Sequence, residues 1–157
     1  MANKGKYYES QFEEATIELL REAHWQYTLG DDIHRKYTDP LIEEDLRNFL
    51  AVQYKDKNLT TSEMDGIVAN LRNTGGQNDY YALRNAFLLY RDGYDFAYSD
   101  SRDNPFRMEY IDFEHPDHNI FRCVNQFVMG QGRENRRPDI LLFINGIPVC
   151  IIELKHP

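Results

Sequence analysis

The apolar positions change rhythm part-way along the chain. Over residues 8–23 they recur at helical spacing: Phe12, Ala15, Thr16, Ile17, Leu19, Leu20 and Ala23 share one broad face, with Glu14, Glu18 and Arg21 opposite. Trp25-Gln26-Tyr27 then leads into a turn-like Leu29-Gly30-Asp31-Asp32. Thr38-Asp39-Pro40 reads as the start of a second helix ending near Lys55, since Asp suits an N-cap and Pro is tolerated at the first helical position. Thr60 to Glu63 has capping-box spacing ahead of a third helix, stopped by Gly75-Gly76. Asn78 or Asp79 caps a fourth helix, which stops at Gly93.

Beyond Gly93 the pattern becomes strand-like. YDFAYS, MEYIDFE, NIFRCVNQFVM, PDILLFIN and IPVCIIELK are rich in aromatic and β-branched residues and are divided by Asp, Asn, Pro and Gly. They predict four or five strands, so a helical first half precedes a sheet-forming second half, with the first helix packed on the sheet. IPVCII is apolar at every position, which predicts a central strand covered on both faces.

Asn145-Gly146 is a strong hairpin signal, because both central residues of a type I′ turn need positive φ. A strict two-residue loop there sets Asp139 opposite Ile152 and therefore on the wrong face from Glu153. One residue of slip, from a longer loop or a bulge, sets Asp139 opposite Glu153. Pro148 cannot donate to a ladder and marks the expected disturbance. Glu153 and Lys155, two apart, project to the same side.

That grouping has a chemical consequence. Two neighbouring carboxylates repel unless a cation lies between them. Oxygen ligands with open positions suit Mg²⁺ or Mn²⁺, and a lysine alongside can assist an attacking water or stabilise transition-state charge. Asp139, Glu153 and Lys155 together make a phosphodiester-hydrolysing set; each alone also reads as a turn residue or a solvated ladder pair. On the first helix, Glu13 falls about 100° from Phe12, between Leu20 and Ile17. It either points inward towards a partner or sits at a boundary and reaches solvent. Glu9 lies in the first turn, where the helix dipole accounts for an acid.

Composition refines this picture. The 157 residues suffice for one domain with a real core, and 41% hydrophobic with 28% charged content is ordinary for a globular chain. No apolar run approaches the roughly 18 residues of a membrane helix, and the N terminus lacks a secretory h-region. Cys123 and Cys150 lie in apolar surroundings and read as buried free thiols, so a cytoplasmic setting is expected. The formal net charge of −8 argues against a simple polyanion-binding module. Arg133, Arg136 and Arg137 are the local candidates for phosphate contact, and equally a solvated loop.

The set Asp139…Glu153-x-Lys155, preceded by Arg137-Pro138 within RRPDILLFINGIPVCIIELKHP, closely resembles the N-terminal nuclease domain of type I restriction enzyme R (restriction and motor) subunits. FEEATIELL, NAFLLYRDGYDF, YIDFEHPDHNIF and VNQFVM extend the resemblance over nearly the whole chain. It implies an α/β PD-(D/E)xK fold: a restriction-endonuclease-like mixed β-sheet flanked by helices, behind a helical N-terminal half. It implies Mg²⁺-dependent cleavage of double-stranded DNA, with Asp139 and Glu153 as metal-binding acids, Lys155 as catalytic lysine and Glu13 as the helix-one acid. The implied partners are DNA and the methylation and specificity subunits of a restriction complex.

The resemblance has two departures. The family carries a further strand and a helix with Gln-x-x-x-Tyr after the lysine, so residues 1–157 are expected to be an endonuclease domain truncated after the catalytic strand. The family's ATP-driven translocase is also missing, because no G-x-x-x-x-G-K-[ST] loop occurs; ATP belongs to a full-length subunit. An isolated fragment is expected to expose a sheet edge and need not cut.

Other candidates are weaker. His115, Asp117 and His118 in EHPDHN have metal-ligand chemistry, but Pro116 and the loop composition favour a plain turn. His156 follows the catalytic lysine without a firm role, and Asp112 and Asn119 read as structural. Two further functions stay open: a repair or junction nuclease of the same superfamily, and a non-cleaving module that docks DNA or partner subunits.

Overall fold

A computed structural model describes residues 4–74, 78–130 and 135–155, without the side chains of residues 4–9. The expectations at Glu9, Gly75-Gly76, Arg133 and His156 therefore lie outside the described residues. The chain divides into two units, Met1–Ile42 with Ile120–Pro157, and Glu43–Asn119.

The first unit is built on a four-stranded mixed sheet of order β1-β4-β5-β6, formed by Gln26–Leu29, Phe121–Asn125, Ile140–Ile144 and Ile147–Ile152. β1 pairs parallel with β4; the other two pairings are antiparallel. Helix α1 (Lys4–Glu22) lies on one face, where Ile17 and Leu20 meet Cys123, Ile140, Leu142 and Ile152. The opposite face buries Val124, Phe127, Leu141 and Phe143 under Ile33, Ile42 and Met129. Arg35 secures that cover. Its guanidinium lies 3.4 Å from the Phe127 ring centroid and donates to the carbonyls of Val128 and Asp39.

The helix stripe that reaches the sheet is narrower than the sequence wheel implies. Glu13, Thr16, Ile17 and Leu20 turn inward, while Phe12 and Leu19, on the apolar side of the wheel, are 53% and 66% exposed. α1 ends through His24, whose φ of 67° lets the Trp25 amide bond the Leu20 carbonyl at 2.9 Å. Trp25 then packs edge-on against Phe121 and the chain enters β1. Gln26–Leu29 is thus a strand, not a lead-in to a turn. Its local pattern is too polar to announce a strand, and the partner that makes it one is β4, far away in sequence.

Among the described residues the closing strand is neither central nor covered on both faces. β6 is an edge strand, and Val149, Cys150 and Ile151 are exposed, so Cys150 is not a buried thiol although Cys123 is. An all-apolar run looks the same whether both faces are covered or one is open. Pro148 is tolerated because an edge strand has a row of donors with no sheet partner.

The second unit holds α2 (Glu43–Gln53), α3 (Thr61–Arg72), α4 (Asp79–Asp92) and a separate hairpin of β2 (Tyr94–Phe96) with β3 (Phe106–Met108). The strand-forming half is therefore not one sheet. α2 begins at Glu43 rather than at Pro40, because Asp39 accepts from the Leu41 amide and closes a local turn instead of capping a helix. Asn78 caps α4 and Gly93 follows its last turn, as expected. The capping box at Thr60 forms in both directions with Glu63.

Glu63 does more than cap. Buried at 7% exposure, it also receives Arg102, at 2.6 Å and 3.0 Å. The Arg102 guanidinium, helped by the Thr60 amide, holds the Glu63 carboxyl down to about 2, from an ordinary value of 4.5. A depressed folded-state pKa stabilises the fold above the unfolded value and loses that contribution as pH falls through the folded one. Arg102→Ala will therefore lower the thermal midpoint at neutral pH. In paired melting curves its gap from wild type will narrow as pH falls from about 4.5 towards 2; a gap constant across that window refutes the assignment.

Candidate active site

The site is set by one hairpin. Asn145 and Gly146 take φ of 52° and 75°, the left-handed pair of a type I′ turn, and close a tight loop between Ile144 and Ile147. The tip is anchored: the Asn145 amide donates to the Ile120 carbonyl at 2.8 Å, and its side-chain oxygen accepts from the Ile120 amide at 2.7 Å. With the turn tight, Phe143 pairs with Pro148, but Leu142 pairs with Cys150, so the ladder slips by one residue at Val149. Leu141 then faces Ile151, and Ile140 faces Ile152.

This is the expected slip, at the expected proline, made by a bulge rather than a longer loop. The ladder ends at Ile140 and Ile152, and Asp139 and Glu153 are the next residues beyond that last pair. Asp139 is half-buried, and its Oδ2 accepts from the Leu154 amide at 2.6 Å, which ties the start of one strand to the end of the other. Glu153 and Lys155 are exposed beside it.

Glu13 is half-buried on the inward stripe of α1 and meets the end of β4. Its Oε1 accepts from Asn125 Nδ2 at 2.7 Å and from Gln126 Nε2 at 3.4 Å. Asn125 Oδ1 in turn accepts from the Tyr27 hydroxyl at 3.0 Å, so β1, β4 and α1 are joined through one amide. Asn125 pairs with Ile140, the neighbour of Asp139. The backbone around Gln126 is fixed from the other side by Gly30, where any Cβ would lie 2.5 Å from the Gln126 carbonyl oxygen. Asn125, Gln126 and Tyr27 were not singled out from the sequence. An Asn-Gln pair at a strand end reads as turn chemistry, and only a buried acid opposite makes it a positioning device.

The strand acids and the helix acid do not converge into a tight cage. Among the described residues, the one trio of His, Cys, Asp or Glu with ligand atoms all within 4.8 Å is Asp112, His115 and His118. Glu13 is held by Asn125, and Asp139 by the Leu154 amide. Arg136 and Arg137 are exposed next to Asp139, with Arg136 held by a two-bond bridge to Met129 at 2.6 Å and 2.7 Å. Of these groups, Asp139 is held by the Leu154 amide, whereas Glu153, Lys155, Arg136 and Arg137 are exposed.

Comparison with known proteins adds to this geometry. The family model described as the type I restriction enzyme R protein N terminus matches residues 6–157. The type I restriction enzyme HindI endonuclease subunit of Haemophilus influenzae is 28% identical over 159 residues, covering 95% of this chain and 15% of that protein. A putative type I restriction enzyme MjaIXP endonuclease subunit of Methanocaldococcus jannaschii is also 28% identical, over 92% of this chain and 15% of its own length. The chain thus spans about 15% of the length of these curated relatives. No solved structure matches it.

The bond from Asp139 to Leu154 is measurable by hydrogen exchange. Asp139→Ala, and separately deletion of Val149, will speed exchange of the Leu154 amide by about tenfold or more, as expected for losing a bond to a charged acceptor. An unchanged Leu154 rate in the Val149 deletion would show that the slip does not hold Asp139 in place.

Proposed function

This chain belongs to the family of type I restriction enzyme R protein N termini, and from that premise we propose that it is the Mg²⁺-dependent endonuclease domain of such a subunit. Its substrate is the phosphodiester backbone of double-stranded DNA, and its fold is of the PD-(D/E)xK kind. The observation that carries the reading is the slip at Val149 together with the bond from the Leu154 amide to Asp139, which supports a place for Asp139 beside the strand end that carries Glu153 and Lys155. A register one residue different would separate those side chains onto two faces.

The donor chemistry fits the metal. Asp139 and Glu153 would hold it, an oxygen-only pair with room for water, which suits Mg²⁺ or Mn²⁺ rather than a thiophilic ion. Asp139 keeps Oδ1 for this while Oδ2 holds the Leu154 amide. When bound, the metal supplies charge neutralisation at the scissile phosphate and lowers the pKa of a coordinated water. The residues do the rest. Lys155 donates to a phosphate oxygen, steadying charge as the water oxygen bonds to phosphorus and one ester P–O bond breaks, with the water's proton passing to solvent and the leaving oxygen taking one up from it. Glu13, steered by Asn125, completes the acidic rim, and Arg136 and Arg137, with Arg133, contact flanking phosphates.

DNA in this reading is delivered by the rest of the enzyme: an ATP-driven translocase on the same subunit and the methylation and specificity subunits. A formal net charge of −8 supports that division of labour, because the domain alone has little long-range attraction for a polyanion.

Mn²⁺ titration of the chain separates this reading from a docking module. Asp139→Ala will weaken Mn²⁺ binding by about tenfold or more; indifference of the wild type to metal favours docking. In the full-length subunit, Lys155→Ala will lower DNA cutting by about a hundredfold or more and leave ATP hydrolysis intact. Parallel loss of both activities would remove Lys155 from the cutting step.

A further inference from the structure

We propose that Asp112, His115 and His118 form a binding site for a transition-metal dication of the Zn²⁺ class, separate from the nuclease centre and independent of that assignment. All three belong to the Glu43–Asn119 unit, and their ligand atoms lie within 4.8 Å of one another. The acid is Asp112, not the Asp117 that shares the EHPDHN stretch with the two histidines.

The turn that carries them is built before any ion arrives. The Asp112 amide donates to Asn119 Oδ1 at 2.9 Å, and Asn119 Nδ2 returns a bond to the Asp112 carbonyl at 2.8 Å. Between them, Pro116–His118 forms a 3₁₀ turn closed by the His118 amide on the His115 carbonyl at 2.9 Å. This turn brings both imidazoles to the same side, their ring centroids 4.9 Å apart and their planes within 17°. Pro116 stands in the first turn of this 3₁₀ segment, a place that its fixed φ suits.

The carboxylate is oriented from two directions. Asp112 is 5% exposed; Oδ1 accepts from the His115 amide at 2.8 Å, and Oδ2 accepts from Gln53 Nε2 on α2 at 3.0 Å. Oδ2 also lies 3.0 Å from His118 Nδ1 and 3.6 Å from His115 Nδ1. Two ring nitrogens therefore face one oxygen, and a bare lone pair facing a carboxylate is repulsive, so each needs a proton or a shared cation. Neutral rings can each meet this with an Nδ1–H, and with Nδ1 lone pairs turned inward one dication serves both nitrogens and the oxygen together. Zn–N and Zn–O bonds near 2.1 Å in a tetrahedron separate neighbouring ligand atoms by about 3.4 Å, and the two measured separations straddle that value.

The donor set also selects the ion. Two imidazole nitrogens and one carboxylate are the ligand class of Zn²⁺ and its borderline neighbours, whereas Mg²⁺ prefers oxygen alone. The histidine side chains are 63% and 55% exposed, so the fourth position opens to water. Gln53 fixes the carboxylate from behind, the outer-shell arrangement that metal sites use. Bound there, the ion clips the 112–119 turn to the end of α2.

Isothermal titration of the untagged full chain with Zn²⁺, repeated with Co²⁺ as a spectroscopic probe, tests this. Wild type will bind Zn²⁺, with excess Mg²⁺ failing to compete. The double variant His115→Ala/His118→Ala, altered only at exposed side chains, will lose about a hundredfold or more in affinity, while far-UV circular dichroism verifies that it folds. Asp139→Ala will retain Zn²⁺ binding. Equal affinity in wild type and the double-histidine variant, no Zn²⁺ binding by wild type, or loss of binding in Asp139→Ala would each overturn the proposal. Because Mn²⁺ binding at Asp139 reports the nuclease reading, the two can fail separately.

Discussion

The ladder slip at Val149 is the constraint on which the candidate site depends. A tight type I′ turn fixes register at its own end of the hairpin, and left alone it would hold that register to the far end. Pro148 offers no N–H to the ladder, the strand lies at the sheet edge, and one extra residue is absorbed where the backbone is least committed. From there on, each cross-strand partner differs by one. Ile140 faces Ile152 rather than Ile151, and the Leu154 amide reaches the Asp139 carboxylate. A single inserted residue thus changes what two strand ends can do chemically while leaving the hydrophobic faces of β5 intact.

The helix acid follows a different logic. A carboxylate in the inward stripe of α1 would be destabilising without partners, and Asn125 supplies one through an amide that also takes the Tyr27 hydroxyl. The arrangement needs β1 beside β4, since Tyr27 comes from β1, and it needs the Gln126 backbone held by the close approach of Gly30. The polar residues at the end of β4 therefore position an acid that the hydrophobic core alone would exclude.

Which parts of this were legible in sequence depended on how local the determining interaction is. Asn145-Gly146, the Thr60–Glu63 box and Asn78 each act within four residues, and each appears as read. The need for a slip was also legible, because a proline and two mismatched carboxylates lie within one hairpin. Features set by distant partners were not. Gln26–Leu29 becomes a strand through pairing with β4; Asp39 is the local exception, its carboxylate serving a turn at Leu41 where a helix cap was equally compatible. The wheel identified Glu13 as off the polar face but gave too much weight to Phe12 and Leu19, since hydrophobicity does not say where the sheet lies. Likewise, apolar residues throughout IPVCII were compatible with a covered strand or an open edge, and only the strand order decides. Asp112 and Asn119 read as structural, and the two bonds they exchange tie the turn at Pro116.

The two clusters of acids in this chain show why residue type alone cannot assign a metal. Asp139 with Glu153 presents oxygen beside an ammonium and two exposed guanidinium groups, a setting that favours a hard cation with a phosphate as its counter-ligand. Asp112 presents oxygen beside two imidazoles and a side-chain amide, a setting that favours a borderline cation with water as its remaining ligand. The first pair comes from two strands and depends on register, so it is sensitive to any change in the sheet. The second comes from one short turn tied by Asn119, so it is sensitive only to its own backbone. The selectivity runs one way: imidazole nitrogens disfavour Mg²⁺, whereas an oxygen pair accepts Zn²⁺ as well. Burial and hydrogen bonding, rather than net charge, thus distinguish the settings of Asp112 and Asp139.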